Sequence, residues 1–332
     1  MASRVADQAV GRNFCLYNGD CVEVARGLPD ESVGFTVYSP PFESLYTFSD
    51  DPRDMSNCLD KDTFWTHFKF LIAEILRITK PGRLTAVHCM QLPTSKMRDG
   101  FIGIRDFRGE VVRAHQDAGF IFHSEVMIRK DPVSAMQRSK SIGLLHKQLV
   151  KDSTISRMAL ADYVVIFRKP GDNPEPVSGP FDAYYGCEAE PDGALKSESN
   201  FRGVSWDKPG DPWYSVAVWQ RYAESVWMDI AQGDVLSRKD ARDEPDEAHI
   251  SPLQLTVIRR CVDLWSNPGD VVFSPFAGIG SELYVALQMG RKAMGAELKP
   301  SYFKQAIKNL EDAEKHSGSG NLLDLMGVAG AK

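Results

Sequence analysis

Two prolines in succession close the run Val33-Gly34-Phe35-Thr36-Val37-Tyr38-Ser39-Pro40-Pro41-Phe42. The stretch before Ser39 is mostly apolar and reads as a buried strand. Each proline locks φ and removes a backbone donor, and each disfavours helix at the residue before it. The chain therefore leaves its strand at Ser39 along a stiff, extended path, with carbonyls that have few local partners. An aromatic ring, Phe42, follows at once. Rigid acceptors beside a stacking face suit the edge-on holding of a planar, amine-bearing ring. Strands also run into proline turns where no such site exists, so the turn alone does not define one.

A second element lies far along the chain, at Asp270-Val271-Val272-Phe273-Ser274-Pro275-Phe276-Ala277-Gly278-Ile279-Gly280-Ser281. It reads as a short buried strand, a glycine turn and a helix from Ser281 to Met289, ended by Gly290. Glycines let a ligand approach the backbone, and a helix start presents unpaired N–H groups. A further strand, Lys292 to Ala296, ends in Glu297, the place where an acid binds ribose hydroxyls in Rossmann-type units. The pattern here is Gly-x-Gly, not Gly-x-Gly-x-x-Gly, and the acid follows sooner than in the dinucleotide fingerprint. A glycine turn that only packs a helix on a sheet has the same local sequence.

Together the two elements resemble the amino-group DNA methyltransferases that use S-adenosylmethionine. Ser39-Pro40-Pro41-Phe42 is similar to their catalytic Asp/Asn/Ser-Pro-Pro-Tyr/Phe motif, and Ser274 to Ser281 to their methionine-binding loop, usually Asp-Pro-Phe-x-Gly-x-Gly. Asn18-Gly19-Asp20 resembles the motif whose acid contacts the cofactor's adenine. His249-Ile250-Ser251-Pro252-Leu253-Gln254 resembles the segment leading into the helix before the cofactor loop. The catalytic motif precedes the cofactor loop, the order of the family's beta group. The likeness covers 14–90, 119–170 and 249–310, and from about residue 216 onward it is greatest to solitary phage and prophage enzymes.

That resemblance implies an α/β fold: a Rossmann-like methyltransferase sheet with helices on both faces and an inserted target-recognition region. It implies S-adenosylmethionine as cofactor, S-adenosylhomocysteine as product, and no metal. Double-stranded DNA is the implied partner, with the target base flipped out of the duplex. A homodimer and a cytoplasmic, nucleoid-associated setting go with the family. The implied catalytic residues are Ser39, Pro40, Pro41 and Phe42; the cofactor residues are Asp20, Ser274, Phe276, Gly278, Gly280, Ser281 and Glu297. Ser274 stands where the family often has Asp, the acid that contacts the methionine amino group. Ser39 stands where most adenine-modifying members carry Asp or Asn.

The chemistry follows from residue types. An exocyclic amine is a poor nucleophile because its lone pair is conjugated with the ring. Accepting both of its N–H bonds, at the Ser39 hydroxyl and the Pro40 carbonyl, draws the nitrogen toward tetrahedral geometry. Phe42 then stacks on the base. A serine serves either amine: the Ser-Pro-Pro-Phe form is commoner among cytosine-N4 enzymes, whereas the phage-like C-terminal half slightly favours adenine N6. Methylation of RNA and a DNA-binding protein without activity are rival readings. The missing third glycine argues against a dinucleotide oxidoreductase.

The net charge of −6 places no bar on DNA binding, because local charge decides it. Between Arg129 and Arg157 lie Arg129, Lys130, Arg138, Lys140, Lys147, Lys151 and Arg157 against Asp131 and Asp152. This excess suits phosphate neutralisation, or a charged surface loop. Trp206, Trp213, Tyr214, Trp219, Tyr222 and Trp227, with Arg202, Lys208 and Arg221 among them, form an aromatic segment that either stacks on bases or packs its own core. Arg129, Lys130, Arg138, Lys140, Lys147, Lys151, Arg202 and Arg221 are the expected DNA contacts. The six cysteines show no Cys-x-x-Cys spacing and read as reduced thiols. No run of about 18 apolar residues and no signal-like leader is present.

The expected organisation is a catalytic half over 1–170 with its basic insertion at 129–157, an irregular aromatic-rich region at 171–248 for target recognition or dimer contact, a cofactor-binding half over 249–316, and a flexible tail at 317–332. Residues 43–62 read as a polar loop over the active site, with Asp50, Asp51 and Asp54 as its solvated face. Thr63 to Thr79 reads as an amphipathic helix, with a strand from Arg83 to Cys89. His88 reads as a satisfied strand-end residue and His249 as structural.

Overall fold

Aspartates set the helix starts in the first half of the chain. The computed structural model describes residues 5–42, 53–58, 60–133, 146–178, 214–237 and 252–317. Strands β1 (Asp7–Val10) and β2 (Phe14–Asn18) pair antiparallel. Asp20 then opens helix α1 (Cys21–Arg26) by accepting from the Val22 and Glu23 amides at 2.9 and 3.0 Å. Such a cap satisfies amides that the first turn leaves without partners. Strand β3 (Val33–Tyr38) is buried at every position. Asp60 caps helix α2 (Lys61–Ile78) through the Thr63 amide at 2.8 Å, so this helix starts ahead of the predicted Thr63.

Strand β4 (Thr79–Met90) follows directly, earlier than the expected Arg83. Pro81-Gly82 makes a bulge within it: pairing to β3 starts at Val33↔Thr79, slips, and resumes at Phe35↔Leu84. Gly82 has a φ of 68°, a left-handed conformation that glycine adopts without a Cβ penalty. A ribbon of β5 (Leu92–Pro93) and β6 (Ile104–Arg105), with α3 (Lys96–Asp99) between them, leads to α4 (Phe107–Ala118), capped by Asp106 and ended by Gly119. Then come β7 (Ile121–Ile128), α5 (His146–Lys151), β8 (Asp162–Arg168), α6 (Tyr214–Tyr222) and β9 (Val226–Trp227). The last described elements are α7 (Leu255–Trp265), β10 (Val271–Ser274), α8 (Ser281–Gln288), β11 (Lys292–Glu297) and α9 (Pro300–Ser317).

The nine-stranded sheet runs β1-β2-β11-β10-β3-β4-β8-β7-β9 among the described residues. Strands β2, β11, β10, β3 and β4 are parallel to one another, and β8 is antiparallel to both neighbours. Phe35 and Val37 of β3 join a core with Val257, Leu283 and Phe303 from α7, α8 and α9. Tyr38 joins a second core with Val24, Phe68 and Val111 from α1, α2 and α4. Helices therefore cover both faces, as the family resemblance implied and as a sheet with buried parallel strands requires. The chain runs outward from β3 to β4 on one side and from β10 to β11 on the other. Their carboxyl ends flank the switch point where ligands bind in open α/β sheets.

The segment expected to be irregular contributes to this sheet. Strand β9 pairs parallel with β7, and Trp227 is fully buried, its indole Nε1 donating to the Tyr222 carbonyl at 3.3 Å. The Arg260 guanidinium, from α7, lies 5.0 Å from the Trp227 ring centre and 5.1 Å from that of Tyr222. These aromatics pack against the nine-stranded sheet, and the cation over their faces adds to that packing.

The two sequence elements are also clamped electrostatically. Arg83 of β4 is 1% exposed, and its Nη2 donates to both carboxylate oxygens of Asp270 at 2.9 and 2.8 Å. Asp270 Oδ2 also accepts the Asn267 amide at 2.7 Å. A Cβ at Gly34 would meet the Asp270 carboxylate at 2.7 Å, so the first strand needs a glycine there. Asp270→Ala leaves the guanidinium buried and poorly matched; we expect a loss of about 3–5 kcal/mol of unfolding free energy in urea titrations. A loss below about 1 kcal/mol would instead be typical of an exposed pair.

Candidate active site

The strand ends of β3 and β10 open into one cleft. Ser39, Pro40, Pro41 and Phe42 line it from β3; Pro275, Phe276, Ala277, Gly278, Ile279, Ser281 and Glu282 line it from β10 and α8. Gly19 and Asp20 close one side, Glu297, Leu298, Lys299 and Tyr302 another, and Pro252 and Leu253 a third. Arg53, Asp54 and Met55 from the polar loop also reach the cleft; residues 43–52 and 59 of that loop lie outside the described residues. His249 to Ser251 lie outside them too.

On the catalytic side the backbone leaves β3 as the double proline dictates. Phe42 is half-buried, 5.8 Å from Phe107 in an edge-to-face arrangement and 6.4 Å from the His88 ring. Packing along part of its ring leaves Phe42 on the cleft wall. Ser39 Oγ is hydrogen-bonded to His88 Nδ1 at 3.1 Å. His88 Nε2 lies 3.2 Å from Asp162 Oδ2, in an ion-pair approach rather than an aligned hydrogen bond. Lys130 Nζ lies 2.6 Å from the other oxygen, Asp162 Oδ1. Burial alone would raise the Asp162 carboxyl, but His88 and Lys130 hold it below the usual carboxylate range.

On the cofactor side, Gly278 adopts φ 53° and Gly280 φ 88°, which lets the turn reverse into α8. Gly280 packs on α9, where a Cβ would come within 3.3 Å of Ala306; it does not face the cleft. Among the described residues no side chain caps α8, so its first amides are left for a ligand or solvent. Glu297 accepts the Gly278 amide at Oε2 (2.7 Å) and the Lys299 amide at Oε1 (2.8 Å), so it fixes the turn as well as lining the cleft. Each carboxylate oxygen keeps a further lone pair for a ligand hydroxyl. Asp20 likewise caps α1 with Oδ1 while standing at the cleft wall.

Ser274 departs from its expected position. It is fully buried, absent from the cleft wall, and its hydroxyl has no hydrogen-bond partner among the described residues. Ser281, 2% exposed, also has an unpartnered hydroxyl, but it does line the cleft. Beside it stands Glu282, which the sequence reading overlooked. Its side chain is buried in the first turn of α8 and lines the cleft. Burial pushes its carboxyl up to about 8, and nearby Glu297, itself pushed up to about 7 mainly by burial, adds to the shift. A buried acid with no ion pair among the described residues is poised to receive a cationic ligand.

The expected DNA contacts divide. Arg129, Lys147 and Lys151 are exposed. Lys130 is engaged with Asp162, and Arg221 is paired to Asp229, which Arg260 Nη2 also contacts at 2.6 Å. The protein's own carboxylates thus stand beside these two cations. Arg138, Lys140 and Arg202 lie outside the described residues. His88, read from sequence as a satisfied strand-end residue, and Asp162, which the sequence reading overlooked, are joined by the β4–β8 register, which pairs His88 with Val164 and Met90 with Asp162. His88 and Asp162 are diagonal neighbours on one face, a relation that no sequence spacing signals.

Comparison with known proteins agrees with this geometry. The sequence profile of the DNA methylase family, the N6/N4 methyltransferases, matches residues 33–308. Type II methyltransferase M.BamHI of Bacillus amyloliquefaciens is 24% identical over 312 residues, covering 91% of this chain and 59% of that protein. The chain thus spans under two thirds of that relative's length. A DNA modification methylase of Thermus thermophilus, solved with S-adenosyl-L-methionine and named as putative, superposes with a TM-score of 0.58 at 20% identity, covering 90% of this chain and 93% of that one. PvuII DNA methyltransferase (cytosine-N4-specific) gives a TM-score of 0.59 at 14% identity over 96% of this chain and 98% of that one. At these identities the superpositions establish a shared fold.

The two raised carboxyls make a stability prediction. A carboxyl raised in the folded state binds its proton more tightly there than in the unfolded chain. Its contribution is full below its ordinary value of 4.5 and is lost as pH rises toward 7 for Glu297 and 8 for Glu282. The melting temperature of the ligand-free protein should therefore carry a falling component between pH 5 and 8. Glu282→Gln should flatten that fall in calorimetric melts; an unchanged slope would show that Glu282 does not titrate in this window.

Proposed function

The chain belongs to the N6/N4 DNA methylase family, and from that membership we propose that it methylates an exocyclic amine of a base in double-stranded DNA. The observation that carries this reading is the common cleft in which the Ser39-Pro40 turn and the Gly278–Ser281 turn face one another. The residues present fit S-adenosylmethionine. Uncapped amides and an orphaned Ser281 hydroxyl at the start of α8 suit a carboxylate, and the buried Glu282 suits an ammonium group. Glu297 and Asp20 have oxygen lone pairs left for ribose and adenine. Bound there, the cofactor supplies an electrophilic methyl carbon.

Glu282 takes the role that an acid at position 274 plays elsewhere in the family. Ser39 Oγ and the Pro40 carbonyl accept the two N–H bonds of the target amine and so localise its lone pair. Phe42 stacks on the base. Holding amine and methyl in near-attack geometry accounts for much of the rate. No residue of this chain forms a covalent intermediate.

Exposed Arg129, Lys147 and Lys151 support phosphate contact, and we carry 129–157 with 171–248 as the target-recognition region. A homodimer in a cytoplasmic, nucleoid-associated setting belongs to the same reading. Adenine N6 is the target put first, on the likeness to phage enzymes. Cytosine N4 is the second reading, favoured by serine at position 39 and by the cytosine-N4-specific relative of the same fold.

Nucleoside mass spectrometry of duplex DNA treated with the protein and S-adenosylmethionine tests both. N6-methyladenine supports the first, N4-methylcytosine the second, and neither base modified would overturn the function. Phe42→Ala should weaken base stacking by roughly 1–3 kcal/mol in binding to DNA, with S-adenosylhomocysteine affinity unchanged in calorimetry. Glu282→Gln should do the reverse, costing about 1.5–3 kcal/mol of affinity for S-adenosylhomocysteine with DNA binding unchanged.

A further inference from the structure

A hydroxyl has one donor and two acceptor lone pairs. If Ser39 Oγ accepts an N–H bond from the target amine, its own proton must point away from the cleft. The bond between Ser39 Oγ and His88 Nδ1, 3.1 Å, offers that proton a place. We infer that His88, Asp162 and Lys130 are positioning residues that lock Ser39 as a hydrogen-bond acceptor toward the target amine. The inference rests on the proposed amine methylation and explains how a serine does there what Asp or Asn does in related motifs.

The chain of contacts sets the direction of each hydrogen. Asp162 is 2% exposed, and its Oδ2, 3.2 Å away, is the carboxylate oxygen that faces His88 Nε2; under this inference the imidazole proton sits on Nε2, toward that negative charge. Nδ1 then presents a bare lone pair and accepts the Ser39 O–H. Both lone pairs of Ser39 are left for the cleft side. Lys130 completes the balance from 2.6 Å on the far side of the carboxylate. With Lys130 in place, Asp162 is neutralised without a second proton on the ring. A doubly protonated ring would donate from Nδ1 and turn the serine proton toward the amine. The arrangement thus requires a lysine, a carboxylate and an imidazole whose Nδ1 is a bare acceptor, in that order.

The sheet fixes this order. His88 sits on β4, Asp162 at the start of β8, and Lys130 just past β7, three adjacent strands whose ladders pair Met90 with Asp162 and Asp162 with Ile128. His88 is itself 9% exposed, with the Phe42 ring centre 6.4 Å from its own.

Asp162→Asn tests the inference with little change of volume. Lys130 can only donate, so it takes the amide oxygen and leaves the NH2 toward His88. The ring must then accept at Nε2 and carry its proton on Nδ1, which reverses the Ser39 hydroxyl. Single-turnover transfer of labelled methyl into duplex DNA should slow by about tenfold or more, as expected for a wrong-tautomer imidazole. Affinities for S-adenosylhomocysteine and DNA should stay within about twofold, since neither ligand touches Asp162. Ser39→Ala should slow transfer similarly, and the double variant Ser39→Ala/Asp162→Asn should be no slower than Ser39→Ala alone. His88→Gln, whose Oε1 can accept the serine proton, should retain more activity than His88→Ala. Independent, multiplying losses in the double variant, or Asp162→Asn at the wild-type rate, would overturn the inference. If His88→Ala lacks the near-UV circular dichroism of the wild type, the Asp162→Asn cycle alone decides. Absence of transfer by the wild-type protein would strike at the proposed function; wild-type transfer with multiplying losses strikes only at this one.

Discussion

Two short backbone pairings hold the site together. Strand β10 meets β3 through Val272↔Phe35 and Phe273↔Thr36, residues from opposite ends of the described chain. Closing so long a loop costs conformational entropy that grows slowly with its length, and local hydrogen bonds do not repay it alone. Burial of Phe35, Val272 and Phe273 contributes, and so does the Arg83–Asp270 pair, which joins β4 to the entry of β10. Once that contact forms, the proline turn and the glycine turn have nowhere to open except into each other. The cleft is a consequence of strand order.

Within the cleft, function and folding use the same carboxylates. Glu297 holds the Gly278 and Lys299 amides, and Asp20 caps α1, yet both stand on the wall where a ligand would lie. Glu282 differs: among the described residues its buried carboxyl forms no ion pair, and burial raises its affinity for a proton. Asp162 is the opposite case, since His88 and Lys130 keep it ionised in an equally dry place. An acid held between a lysine and an imidazole is set to orient its neighbours, whereas one without such neighbours is set to receive charge from outside.

Much of this was legible before folding. The α/β sheet with helices on both faces was implied by the family resemblance, and the position of the two turns follows from strand-like runs that end in prolines and glycines. Boundaries moved where capping or bulging decided them: Asp60 drew α2 forward, and Gly82 let β4 begin before Pro81. Trp227 was ambiguous because an aromatic residue serves a base stack and a core equally well. Only its pairing through β9 to β7 places it in the core. Lys130 and Arg221 read as free cations because sequence records a charge and not its partner.

The sequence by itself determined that a stiff acceptor turn and a glycine turn would each end a buried strand, because backbone restrictions at proline and glycine are local. It also determined the chemistry those turns can offer. Tertiary structure alone decided that His88 would reach Ser39, that Asp162 would stand behind His88, and that Glu282 instead of Ser274 would present its side chain to the cleft. Those relations depend on strand register and on which side of a helix's first turn faces the sheet edge, and both are set by long-range packing that no neighbouring residues encode.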